Sequence, residues 1–295
     1  MPIHPDQRVR MSAHHISRRA GRAARAGLPH RLQQGFTLVE MAIVLAVIGL
    51  IIGAIAIGKD VQRNAEYTKI KNKFIDQWEQ AYNAYYQRTG VVPGDSQTAP
   101  RLMVNGANYA GAAGVLSGGD MTGATEPGAI CHGAAGPNMV RGMQGAGAAA
   151  GAANAFDLRL LMNQAGVRMP PGRAEGSEDR YVYLDTNGNP QEIQVCFQWN
   201  KPGSPENSGN VMVITGLTPD LARMLDQMID GKPDAQEGRF RQQGIANGTA
   251  NTAGVEWGAN NTYQDGATGA AATTAGRTQD EDQVIRMVAI YKMNQ

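Results

Sequence analysis

A chain of 295 residues, 42% hydrophobic and 18% charged, carries enough apolar material for one large domain or two small ones. Its 37 glycines and sparse aromatics favour long loops over a helical bundle. The formal net charge of +1 conceals an asymmetry. Residues 1–35 hold seven arginines and one acid, which leaves 20 basic and 25 acidic residues, a balance of −5, in residues 36–295; that body lacks the electrostatic footprint of a nucleic-acid binder. Four of the five histidines also lie before residue 36. Only His132 is left to build a zinc site or a Ser-His-Asp triad, so hydrolase chemistry is not expected, nor is any cofactor.

In chain order, residues 1–35 read as a processing leader, with Met11 an alternative start. They are rich in Arg and His, show no apolar periodicity, and would be held in the cytoplasm by their positive charge. Residues 36–58 form an apolar run long enough to span a bilayer, with Glu40 its only ionisable side chain. No small-residue cleavage site follows this run, as one would in a secretory signal.

The helix is expected to continue through residues 59–90. Val61, Ile70, Phe74, Trp78, Tyr82 and Tyr85 recur mostly at three- or four-residue spacing, with charged residues on the other faces. Gly90 and Pro93 supply the stop. A continuous helix over residues 36–88 would measure roughly 80 Å. The group Trp78, Tyr82, Tyr85 and Tyr86 is read as the seam between this helix and a sheet rather than as an exposed binding surface.

Beyond residue 90 the pattern predicts an extracytoplasmic β domain, residues 91–295, interrupted by loops at 96–155 and 238–282. From Gly106 to Ala155, 13 glycines and 15 alanines make up more than half of the positions, which suggests a surface excursion with little bulk to bury. A short helix is expected at 156–165. Strands are expected at Tyr181–Leu184, Glu192–Trp199 and Val211–Thr215, then a helix opened by Thr218-Pro219-Asp220, and a closing strand at Val284–Lys292. The expected class is α+β: one long helix on a small antiparallel sheet.

Two weaker constellations are present. Asp185, Asn187 and Asn189 have the spacing of the first half of a calcium loop. Gly188 is misplaced for that loop and no glutamate follows at its twelfth position, so a hairpin turn explains the three residues better. Cys131 adjoins His132, but no second base or orienting group accompanies them, and catalysis is not expected there.

The most informative stretch is Gly35-Phe36-Thr37-Leu38-Val39-Glu40. It resembles the N-terminal processing site of type IV pilins and type II secretion pseudopilins. The resemblance implies cleavage between Gly35 and Phe36 by a membrane prepilin peptidase, N-methylation of Phe36, and polymerisation through the N-terminal helix. It implies an inner-membrane precursor with a cytoplasmic leader and periplasmic body, an inner-membrane assembly platform, and pilin subunits as partners. The end product would be an extracellular pilus or a periplasmic pseudopilus, and a tip pilin acting in adhesion is a further alternative.

A carboxylate in an apolar segment is costly without a partner. Cleavage would create one cation nearby, the Phe36 amine. Glu40 of one subunit facing that amine on a neighbour would gain about 4 kcal/mol at 4 Å and an effective dielectric of 20, before desolvation is subtracted. The resemblance extends less specifically to Val92-Pro93-Gly94-Asp95 and to Ile229-Asp230-Gly231-Lys232-Pro233. It departs at Ile57, where many pilins carry a proline. If the body lies outside the cytoplasm, Cys131 and Cys196 are expected to pair, closing a loop worth on the order of 4 kcal/mol; two separate buried thiols are the alternative.

Overall fold

The computed structural model describes residues 35–109, 121, 126–131, 157–246, 248–249, 252–258 and 286–293. The chain divides into two units, Met1–Ala54 and Ile55–Gln295. In the first, the described residues are the start of helix α1 (Leu38–Ile70), which runs on into the second unit.

In the second unit α1 passes through one π-helical stretch, Lys71–Ile75, into α2 (Asp76–Thr89). Phe74 and Ile75 in this widened turn are both buried, continuing the buried face from Ile70 to Trp78. Lys71 Nζ closes the turn on Asp76 at 2.8 Å. Gly90 ends α2 in the left-handed conformation at φ 75°, its N–H bonded to Tyr86 O.

Among the described residues five antiparallel strands follow: β1 (Arg180–Leu184), β2 (Pro190–Asn200), β3 (Gly209–Leu217), β4 (Phe240–Gln242) and β5 (Met287–Lys292), in the order β1-β2-β3-β5-β4. Val195 pairs with Ile214 and Phe197 with Met212, so alternate residues line the helix-facing side. The seam is aromatic. Trp78 and Tyr82 lie 6.0 and 5.1 Å from Phe197, Phe74 lies 5.4 Å from Tyr181, and Tyr67 meets Tyr183 edge-on at 6.4 Å. Tyr86 is only partly buried beside this core. A second cluster of Val211, Val213, Val288 and Ile290 uses the alternate positions of β3 and β5.

Helix α3 (Leu158–Gln164) is capped by Asp157, which accepts the N–H groups of Arg159 and Leu160. Its C-terminal carbonyls at Ala165 and Gly166 receive Arg88 Nη1 from α2. Helix α4 (Pro219–Ile229) begins at Thr218, whose hydroxyl accepts Leu221 N, with proline in the first turn as the sequence predicts.

Two stretches read as loop contribute to the core. Within 96–155, Met103, Val104, Tyr109, Met121 and Ile130 are buried, and Ile130 N bonds Phe197 O on β2. Within 238–282 lie β4 and the fully buried Trp257, stacked 5.2 Å from Phe240. Composition averaged over a window hides a few large apolar residues, and those residues anchor the loops. The strands also run slightly longer than expected in β1, β2 and β3. The last strand begins at Met287; residues 284–285 lie outside the described residues.

Candidate functional site: the start of the N-terminal helix

Every residue from Gly35 to Gln62 is exposed, including the long apolar side chains from Phe36 to Ile57. Phe36 is 81% and Leu38 86% exposed, the opposite of a core helix. Among the described residues this is the one helix long and apolar enough to cross a membrane.

The helix begins on a reciprocal cap. Thr37 N donates to Glu40 Oε2 at 2.8 Å and Thr37 Oγ1 donates to the same oxygen at 2.9 Å, while Glu40 N donates back to Thr37 Oγ1 at 3.2 Å. This is a capping box, Thr-x-x-Glu, which satisfies two helix-start donors that have no partner within the helix. Besides the cation expected for it, Glu40 thus has a hydrogen-bonding partner within its own segment. Its carboxylate receives two hydrogen bonds from Thr37, and its negative charge sits in the first helical turn, where the helix dipole favours it. Those hydrogen bonds leave the charge itself uncompensated. The signal for the box was present in the sequence as a threonine three residues before a glutamate, and sequence reasoning passed over it.

Every donor and acceptor of the box belongs to Thr37 or Glu40, so cutting the Gly35–Phe36 bond would leave these groups in place. Among the described residues nothing lies within 4 Å of where a Cβ on Gly35 would sit.

The other sequence candidates fall elsewhere. Cys131 and Cys196 are disulfide-bonded, with Cα atoms 5.3 Å apart, and both are buried. The bond fastens the segment at 126–131 to the middle of β2. His132 lies outside the described residues. Asp185 organises the β1–β2 turn. Its Oδ1 accepts Asn187 N at 2.9 Å and Asn189 N at 2.8 Å, and its Oδ2 accepts Gln191 Nε2 at 2.9 Å. Gly188 sits there at φ 84°. A carboxylate committed to three donors of its own turn is poorly placed to ligate calcium. Among the described residues no group of three or more His, Cys, Asp or Glu could hold a metal ion.

The two lesser motifs acquire a physical account. Asp95 Oδ1 accepts Ser96 N, and its Oδ2 accepts Arg101 N and Leu102 N, so it nucleates the loop that follows α2. Gly94, at φ 79°, lets the chain pass Asn105, whose Cα would lie 2.9 Å from an added Cβ. Asp230 Oδ2 accepts Arg239 N and Phe240 N, which clips the start of β4 to the end of α4. Gly238, at φ 77°, leaves room for that carboxylate.

Comparison with known proteins agrees with the helix start. The prokaryotic N-terminal methylation motif matches residues 30–56, which makes this a prepilin-type segment of the kind carried by type IV pilins and pseudopilins. The match takes in Gly35, Phe36, Thr37 and Glu40. It points to a structural protein rather than an enzyme, and to processing by a prepilin peptidase and assembly with pilins in general. With the exposed apolar helix, it is consistent with anchoring in an inner membrane. No curated protein and no solved structure matches the chain.

Proposed function

We propose that the chain is a structural subunit of a bacterial type IV pilus or a related filament. In this reading residues 1–35 are a cytoplasmic leader, cleaved after Gly35 by prepilin peptidase. Phe36 becomes the N-methylated first residue, residues 36–58 hold the subunit in the inner membrane and later in the filament core, and residues 91–295 face the periplasm. The observation that carries the reading is the conjunction at one helix start: a Gly-Phe junction, a wholly exposed apolar run, and one carboxylate four residues after the new N-terminus. An exposed apolar surface of that extent needs lipid or other helices to cover it. The Glu40 charge, which Thr37 solvates without neutralising, needs a cation. A neighbouring subunit supplies both through its own helix and its Phe36 amine. The pair acts as a register device, because a subunit docked at the wrong height leaves both charges unpaired.

Mass spectrometry of sheared filaments and of the membrane fraction tests this reading. The expected species begins at Phe36 and carries one extra methyl on its amino group. A mature N-terminus elsewhere, or an intact leader in assembled material, overturns it. Pseudopilus and tip-pilin readings share this chemistry. Immunogold labelling along the whole filament supports the pilus subunit, labelling confined to its end supports a tip protein, and labelling of periplasmic material alone supports a type II secretion pseudopilin.

A further inference from the structure

Among the described residues three that are not glycine have a positive φ, and two of these are asparagines, which tolerate it. The third is Leu102, at φ 56°. A leucine in this region is strained, and the strain persists only because the surroundings hold it. Two polar groups do so. Asp95 Oδ2 takes Leu102 N at 2.7 Å, and the buried Asn210 on β3 donates to Leu102 O at 2.8 Å while accepting Val104 N at 2.8 Å. The strain does not serve packing, because the Leu102 side chain is 45% exposed.

What the strained turn does is place Leu102 at the edge of a groove of about 370 Å³. Its floor is apolar, built from Met103, Met121 and Trp199. Arg101 and Lys292 also line it. Arg101 donates to Gly106 O and stacks over Tyr109 with its guanidinium 5.4 Å from the ring centroid, so it is fixed in place without an acidic partner among the described residues. Lys292 is exposed, and no ion pair with it occurs among the described residues. Arg101 and Lys292, neither in an ion pair among the described residues, stand beside a large apolar floor and select for a ligand that is both acidic and apolar.

We propose that this groove binds an acidic–apolar peptide segment of a partner protein, with one apolar side chain on Trp199 and Met103 beside Leu102 and a carboxylate against Lys292. The groove has the volume for two or three side chains. Its two cations are too few for a nucleic-acid backbone. The proposal does not depend on how the N-terminal helix assembles.

The test uses the full chain in detergent micelles, with protein-free micelles subtracted. Fluorescein-labelled acetyl-Asp-Glu-Leu-Phe-amide and its Lys-Lys counterpart are compared by fluorescence anisotropy. The expected result is a preference for the acidic probe that weakens with salt, and a reversal of that preference by about tenfold or more in Lys292→Glu. Leu102→Gly relieves the strained φ. Its Tm should therefore hold or rise, while binding of the acidic probe weakens several-fold. Equal or absent binding of the two probes by the unaltered protein, an unchanged preference in Lys292→Glu, or undiminished binding in Leu102→Gly overturns the proposal.

Discussion

Asp226 shows how a single side chain can govern the pH response of the body. It is fully buried on α4, with Oδ2 accepting Trp257 Nε1 at 2.9 Å and Oδ1 without a partner among the described residues. Burial, with Asp230 and Asp234 nearby, pushes its pKa up to about 8. The nearby cations are engaged elsewhere: Lys232 with Asp234 and Glu237, Arg239 with Glu79, Arg223 with Asp220 and the Trp257 carbonyl. The folded state therefore keeps a proton that the unfolded chain releases near pH 4. Its contribution to stability is complete below pH 4 and declines as pH rises towards 8, by at most about 1.4 kcal/mol per unit. Asp179, also buried and pushed up to about 6, adds a decline of the same sign over the lower part of that range. Asp226→Asn keeps the acceptor for Trp257 and removes the titration. Urea unfolding followed between pH 4 and 9 should show the variant gaining on the unaltered protein up to about pH 8, with a residual slope from Asp179 ending near pH 6. Parallel curves for the two proteins would rule out Asp226 as the titrating group.

At the scale of elements, Glu79 links α2 to the far edge of the sheet. Its carboxylate accepts Tyr291 OH at 2.9 Å from β5 and Arg239 Nη2 at 3.2 Å from the residue before β4, and Arg239 lies 5.0 Å over the Tyr291 ring. Glu79→Ala leaves a partly buried hydroxyl without its acceptor and should cost about 1–3 kcal/mol. Glu79→Gln keeps an acceptor for Tyr291 and should cost less. A double-mutant cycle with Arg239→Ala measures how much of the loss belongs to the ion pair, and near-additivity would assign the effect to Tyr291 alone. Sequence periodicity placed Glu79 on the solvent side of an amphipathic helix. Partial burial against β5 is a tertiary fact, because the partners lie 160 and 212 residues away.

For the whole molecule, assembly is where the cap and the charge at Glu40 separate. Glu40→Gln preserves the capping box, since glutamine serves at that position, and removes only the charge. Thr37→Val removes the side-chain half of the cap and leaves the charge. Glu40→Val removes the charge and the carboxylate acceptor of the cap together. Processing after Gly35 should survive Glu40→Gln, because the peptidase acts before any neighbour is present. The ratio of sheared filament protein to cleaved membrane-pool protein should then fall about tenfold or more, the effect of losing only about 1.4 kcal/mol at the docking step. Thr37→Val keeps the charge and the Thr37 N–H bond to Glu40, so the ratio should fall less, by the equivalent of about 0.5–1 kcal/mol, the lower part of the range for a lost cap. Glu40→Val should be the weakest assembler. If Thr37→Val and Glu40→Gln reduce the ratio equally, Glu40 acts as a helix cap and the charge pair is dispensable. If cleavage itself is lost in Glu40→Gln, the residue belongs to peptidase recognition.

The sequence by itself determined the features that are local: the apolar run after Gly35, the stop at Gly90, the α4 start at Thr218, and the presence of strands β2 and β3. Each depends on residues a few positions apart, so periodicity, capping and turn chemistry are enough to find it. Thr37 belonged to this class too, and its three-residue offset to Glu40 was readable in principle. Only the tertiary structure decided what depends on distant partners. Trp257 sits in a stretch whose composition reads as loop, yet it is buried against Phe240 and Asp226. Val104 lies just before the Gly/Ala-rich stretch and Ile130 within it, but they are held by Asn210 and Phe197. The π-helical turn at Lys71–Ile75 carries two buried residues, Phe74 and Ile75, and periodicity read along a regular helix gave no sign of it. Burial of an isolated large side chain is set by what lies across the core from it, and sequence distance carries no record of that.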